Sequence, residues 1–282
     1  MARVGTGIMP APRLPDGVTR EFVELAHGTG VHVFAPEGGG SGAALLWIHG
    51  GGMVIGAAVQ DHARCADLAR DLGIVVVSVE YRLAPEHPYP VPLDDCHRAW
   101  EWLLTEAPLL DVDPARIAIG GQSAGGGLAA GLVLRVHDGG GPQPAAQWLF
   151  CPMLDDRTAA NRELDGVRHF LWDNRANLAG WTAYVGSPGA ADVAEYAAPA
   201  RRTDFAGLPA AWVGAGDIEL FYSEDRDYAE RMQRAGVDVT LEVVRGGPHA
   251  FESLAQKAPV ARKYAGRAQA WLAARLGVGA RT

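Results

Sequence analysis

The run Arg116-Ile117-Ala118-Ile119-Gly120-Gly121-Gln122-Ser123-Ala124-Gly125-Gly126-Gly127-Leu128-Ala129-Ala130 passes from an apolar, β-branched stretch into a small-residue stretch of helical character, with one serine at the join. It reads as strand, sharp turn, helix. A strand that reverses at once into a helix leaves no room for Cβ atoms beside the turn, so glycines flank the serine. The strained turn holds the Ser123 hydroxyl out where another molecule can reach it. The spacing is weak by itself in a chain with 36 glycines among 282 residues, and its surroundings decide what it means.

Working outward, short apolar runs recur at 20–25, 31–35, 43–49, 74–81, 116–120, 146–151, 210–214 and 239–244. From the third onward they alternate with helical patterns at 61–72, 91–106, 123–137, 223–235 and 259–276. That alternation predicts an α/β fold, an eight-stranded mostly parallel sheet with helices on both faces. The first two strands follow each other without a helix and should form an antiparallel edge. Residues 1–282 are expected to fold as one domain. The alternation breaks from about 156 to 204, where Trp172, Trp181, Tyr184 and Tyr196 stand among alanines and charges. An insertion at the carboxyl ends of the strands lies over the ligand crevice of such a sheet, so its aromatic density suggests a lid lining a pocket. The competing reading is a helical excursion packed on the core.

With 48% hydrophobic residues the chain has ample material for a core, and a net charge of -8 argues against nucleic-acid or anionic-membrane surfaces. Small molecules are the expected partners. Cys65, Cys96 and Cys151 lie far apart in apolar patterns and read as buried core thiols, with no metal-ligand spacing among them. Neither a hydrophobic leader nor a bilayer-length apolar run is present, which makes the cytoplasm the expected location. The last strand, 239–244, is either a free edge that pairs with a second subunit to give a homodimer or an edge the chain itself covers.

A serine hydroxyl is a poor nucleophile at neutral pH and needs a base, which in turn needs an orienting acid. Three histidines follow Ser123. His137 sits at the far end of the helix the serine begins, His169 falls in the insertion, and His249 follows the eighth strand in a glycine-rich loop, Arg245-Gly246-Gly247-Pro248-His249-Ala250-Phe251. His249 is the candidate base. The seventh strand ends in Gly214-Ala215-Gly216-Asp217, which makes Asp217 the candidate acid. Acyl transfer also requires donors aimed at the developing oxyanion. His49-Gly50-Gly51-Gly52-Met53 follows the third strand, so the N–H groups of Gly51 and Gly52, with that of Ala124, are the expected donors. Met53, Gln122, Trp172, Trp181 and Phe251 are the candidates for a substrate pocket.

With these residues in place the chain resembles the bacterial hormone-sensitive-lipase-like (family IV) esterases of the α/β-hydrolase superfamily. The resemblance runs from about Gly42 to the C-terminus. It rests on His49-Gly50-Gly51-Gly52, Tyr81-Arg82-Leu83-Ala84-Pro85-Glu86-His87-Pro88-Tyr89-Pro90, Asp113-Pro114-Ala115-Arg116-Ile117, the Ser123 elbow, Asp217 with Leu220-Phe221, and His249-Ala250-Phe251. It implies an α/β-hydrolase fold and hydrolysis of short-chain carboxylic esters through a Ser-His-Asp triad, without a cofactor or metal. It also implies a small helical cap built from about 1–18 and the insertion at about 156–204. An amidase or formamidase, or a non-catalytic small-molecule receptor on the same fold, are the alternatives. Arg82 and Glu86 are expected as a buried structural pair. The chain departs from the pattern at Gln122, where an acid is common, at Gly127 for Asn, at Ala250 for Gly and at Met53 for an aromatic. Only 48 residues precede His49, which suggests a reduced N-terminal cap and a more open pocket. A neutral imidazole is needed for the base, so activity is expected to fall as the pH drops through the histidine range.

Overall fold

The structure is a computed structural model and describes residues 13–279. Its strands are β1 (Val18–Glu24), β2 (Gly30–Pro36), β3 (Ala44–Ile48), β4 (Val75–Glu80), β5 (Ile117–Gln122), β6 (Ala146–Phe150), β7 (Ala211–Gly216) and β8 (Val239–Val244). They form one sheet in the order β1-β2-β4-β3-β5-β6-β7-β8. β1 with β2 and β2 with β4 are antiparallel, and the remaining neighbours are parallel. The expected antiparallel edge and parallel centre are therefore both present. Among the described residues β8 has a strand neighbour on one side only.

Side chains of successive strand residues point to opposite faces, and that alternation divides the interior into two cores. On β3, Ala44, Leu46 and Ile48 enter one core, with Leu93 and Leu128, while Leu45 and Trp47 enter the other, with Cys65 and Tyr264. Helices α2 (Val91–Glu106), α3 (Ala124–Gly139) and α6 (Tyr222–Arg234) cover the first core; α1 (His62–Leu72) and α8 (Pro259–Leu276) cover the second. Burial on both faces explains why β3 and β5 read as continuous apolar runs rather than as alternating ones. On the second face Trp47, Trp148, Phe150 and Trp212 pack edge to face or tilted, and the Arg64 guanidinium lies 4.1 Å from the centre of the Phe150 ring.

The five expected helices are present. Three more carry no individual expectation: α4 (Asp156–Ala160) and α5 (Asn174–Val185), within the insertion expected to be helical, and the short α7 (Phe251–Leu254). Two of these lie in the insertion, and α5 buries Trp181 and Tyr184 completely in the first core. That half of the insertion is thus packed on the body of the molecule rather than lying over a crevice. Its start and end are tied together because Arg201 Nε and Nη2 donate to the buried carboxylate of Asp156 at 2.6 and 2.8 Å. Residues 1–12 of the expected N-terminal cap lie outside the described residues.

Arg82 departs from expectation. It makes a bidentate pair with Asp95 of α2, at 2.9 Å from Nε and 2.8 Å from Nη2, while Glu86 is exposed. Asp95 is buried and on a helix already packed against β4, so it offers a desolvated partner that a loop glutamate cannot. Cys65, Cys96 and Cys151 are buried and free, as the sequence suggested. No helix of the described residues is long and apolar enough to cross a membrane.

Candidate active site

Ser123 caps α3 with φ 56° and ψ −123°, a conformation that a non-glycine residue adopts at a cost of about 1–3 kcal/mol. The surroundings hold it there. Its N–H donates to the Phe150 carbonyl at 2.8 Å, and its own carbonyl accepts from Gly127 and Met153 at 3.0 Å each. The elbow presses so closely on β3 that a Cβ at Gly125 would stand 2.1 Å from the Ile48 carbonyl oxygen. That position admits only glycine.

The turn after β8 brings His249 to the serine, with Nε2 2.9 Å from Ser123 Oγ. Both residues are almost wholly buried. The Phe221 ring meets the imidazole edge-on, 5.3 Å between centres, and fixes its plane. On the far side of the ring, Nδ1 hydrogen-bonds Oε2 of Glu219. The imidazole therefore lies between a hydroxyl and a carboxylate.

That carboxylate is not the expected one. Asp217 is half-buried and its Oδ1 accepts from the Gly246 N–H at 2.6 Å, so it braces the turn that carries His249 without reaching the ring. Asp217 directly follows the last residue of β7, and its own N–H still donates to the Val244 carbonyl. Glu219, two residues further along and one methylene longer, turns inward between the exposed Ile218 and the buried Leu220. Its side chain is fully buried and borders His249. The local signal was available in the sequence as a second acid two residues past the first, in an apolar setting.

The glycine loop after β3 packs against the elbow, such that a Cβ on Gly50 would lie 3.3 Å from Ser123 Cβ. Gly51 has φ +128°, and a Cβ there would stand 1.9 Å from the Ile55 carbonyl oxygen. His49 shapes the loop. Burial lowers its pKa to about 4, so the ring is neutral, and its Nδ1–H donates to the Gly50 carbonyl at 2.8 Å. Tyr81 stacks on that ring and donates its hydroxyl proton to the His49 carbonyl at 2.9 Å. Among the described residues no backbone hydrogen bond occupies the N–H of Gly51, Gly52 or Ala124. Three donors beside one nucleophile suit stabilisation of an oxyanion.

Of the pocket candidates, Trp172 lays its side chain over this loop. Its indole covers Gly52 so closely that a Cβ there would fall 2.1 Å from the ring. Met53 is fully buried in the first core, and so is Trp181. Phe251 belongs to the second core, 4.9 Å from the Tyr264 ring centre. Gln122 lies at an even position of β5, on the face of α8, and its Nε2 donates to Glu252 Oε1 at 2.6 Å and to Ser253 Oγ at 2.8 Å. An acid at position 122 would set two buried carboxylates against each other, which accounts for an amide there. Ile55, Phe170, Leu171 and Ile218 are exposed apolar residues on the segments that carry Gly52, Trp172 and Glu219. The sequence reading passed over them because single apolar residues in loops carry no periodic signal.

This geometry, a strained serine on a strand-to-helix turn with a histidine, a carboxylate and a glycine loop at neighbouring strand ends, is that of an α/β-hydrolase. The chain belongs to the alpha/beta hydrolase fold family, whose sequence profile matches residues 45–253. It is 31% identical over 255 residues to the carboxylic ester hydrolase LipN of Mycobacterium tuberculosis, covering 88% of this chain and 68% of LipN. Among solved structures it is similar to a bacterial heroin esterase, at a TM-score of 0.86 and 37% identity, covering 93% of this chain and 85% of the other. It is also similar to an esterase of the bacterial hormone-sensitive lipase family, at a TM-score of 0.82 and 31% identity, covering 96% and 88%. The protein is a carboxylic ester hydrolase of the hormone-sensitive-lipase-like group.

Proposed function

We propose that the protein hydrolyses short-chain carboxylic esters in two steps through an acyl group carried on Ser123, with His249 as base and Glu219 as the acid that orients it. The observation that carries this reading is the single imidazole between Ser123 Oγ and a fully buried carboxylate. His249 Nε2 takes the hydroxyl proton as Oγ attacks the ester carbonyl. Nδ1–H stays hydrogen-bonded to Glu219, whose charge stabilises the imidazolium. The N–H groups of Gly51, Gly52 and Ala124 bind the oxyanion, and the imidazolium then protonates the departing alcohol. Water repeats the sequence on the acyl-enzyme and frees the serine.

The insertion at about 156–204 acts as a small cap in this reading. Trp172 lying over Gly52 supports a preference for small acyl groups, since the ring occupies space beside the oxyanion donors. A series of p-nitrophenyl esters with amide analogues tests this. Turnover should be greatest at about two to four acyl carbons and fall tenfold or more for long chains, because each methylene in a shaped pocket is worth about 1–3 kcal/mol. A serine-directed phosphonate should label the protein and not Ser123→Ala. Equal turnover of acetyl and long-chain esters would remove the short-chain assignment, and labelling of the alanine variant would remove Ser123 as nucleophile.

A further inference from the structure

Beside the serine, histidine and glutamate stands a group that hydrolysis does not use. Cys151 follows β6 directly, buried and without a disulfide partner. A ligand atom from each of Cys151, Glu219 and His249 lies within 4.8 Å of the other two. The carboxylate is also only half used, because Glu219 Oε1 is buried with no hydrogen-bond partner. Both carboxylate oxygens of Asp225 are buried and unpartnered as well. No ion pair from Arg or Lys among the described residues reaches Glu219 or Asp225. The interior beside His249 therefore offers a thiol, a carboxylate oxygen and an imidazole with no Arg or Lys paired to them.

We propose that Cys151, Glu219 and His249 form an inhibitory binding site for a borderline-soft divalent cation, with Zn²⁺ as its type. The effect on rate rests on His249 being the base, whereas the binding does not. One thiolate, one carboxylate and one imidazole make a donor set that Zn²⁺ accepts, with bonds of about 2.0–2.3 Å and tetrahedral ligand spacings of about 3.5 Å. The three groups need to close by only about an ångström to reach that spacing. Mg²⁺ and Ca²⁺ prefer oxygen donors alone and are poor occupants. On binding, the thiol proton leaves to solvent and the sulfur, a Glu219 oxygen and His249 Nδ1 donate to the ion, with water in the fourth position. The ring keeps one proton, which passes from Nδ1 to Nε2 through solvent. Nε2 then donates to Ser123 Oγ and can no longer accept its proton, so hydrolysis stops with the serine intact.

The test uses metal-free protein prepared with a chelator. Hydrolysis of p-nitrophenyl acetate should fall with added Zn²⁺ at one ion per chain and recover on chelation, while Mg²⁺ and Ca²⁺ leave the rate unchanged. Cys151→Ser and Cys151→Ala should keep the basal rate and need at least about tenfold more Zn²⁺ for half inhibition, the scale on which loss of a ligating group acts. Co²⁺ bound to Ser123→Ala should show a thiolate-to-cobalt charge-transfer band that is absent when Cys151 is also replaced. Because this readout needs no turnover, it separates failure of the metal site from failure of the hydrolytic assignment. Equal Zn²⁺ sensitivity in both Cys151 variants, or no thiolate band in Ser123→Ala, would overturn the proposal.

Discussion

Asp217 and Glu219 stand two residues apart in one loop, yet one braces a turn and the other borders the imidazole. The two assignments separate in kinetics. Glu219→Gln keeps the shape of the side chain and removes the charge that favours imidazolium, so kcat should fall on the order of 10³- to 10⁴-fold. Asp217→Asn loses only a charge-assisted acceptor for the Gly246 N–H, and should cost less than tenfold in kcat/KM with about 1 kcal/mol of stability. Steady-state kinetics and urea denaturation of the two variants decide it, and the reverse ranking would restore Asp217 to the triad. Ser123 and His249 were legible because each is marked locally, by flanking glycines and by a glycine-rich turn at a strand end. The carboxylate that meets the imidazole was not, because it depends on which way a turn folds and on one methylene of reach. Gln122 was singled out as unusual from the sequence, but its partner Glu252 lies 130 positions away and no local pattern names it.

At the scale of elements, the strands and long helices were readable because both their faces are buried and their runs are long enough for a period to emerge. β8, α2 and α8 fall on the expected bounds. The insertion was harder to read. α5 carries asparagine, glycine and alanine among its aromatics, and its two buried aromatics, Trp181 and Tyr184, are three apart on one face, packed on the body. α4 and α7, of 5 and 4 residues, are too short to show any helical period. The aromatic density that suggested a lid thus belongs in part to the core, with Trp172 left over the glycine loop. Trp172→Ala should free the space beside Gly52. The ratio of kcat/KM for an octanoyl ester to that for acetyl should rise on the order of tenfold, the scale set by one or two buried methylenes. An unchanged ratio in the p-nitrophenyl series would mean that the acyl chain leaves the site by another path. The indole is only half-buried, so denaturation should shift little.

For the molecule as a whole, a cluster on the second face of the antiparallel edge ties stability to pH. His32 of β2 and His62 of α1 meet ring to ring, 4.4 Å between centres, and Arg20 of β1 donates Nη1–H to His62 Nδ1 at 3.0 Å. A ring that accepts from a guanidinium has to be unprotonated. Burial, then the facing charges, lowers both histidines to about 4, and burial alone does the same to His49 beneath the glycine loop. In the unfolded chain these rings titrate near 6.5. Between the two values the unfolded state binds more protons than the native one, so stability falls as the pH drops from about 6.5 towards 4. Glu224 and Asp225 act in the opposite sense, since burial raises their pKa and their protonation favours the folded state. The net slope is therefore less than the three histidines alone would give. The contribution of one ring can be isolated. His62→Gln can still accept from Arg20 but cannot titrate, so the dependence of unfolding free energy on pH should become shallower by up to about 1.4 kcal/mol per pH unit. Urea denaturation of the two proteins at about pH 7.5 and about pH 5 measures the difference. Parallel slopes would mean that His62 is protonated in the folded protein, and the hydrogen bond from Arg20 would then have to be absent in solution.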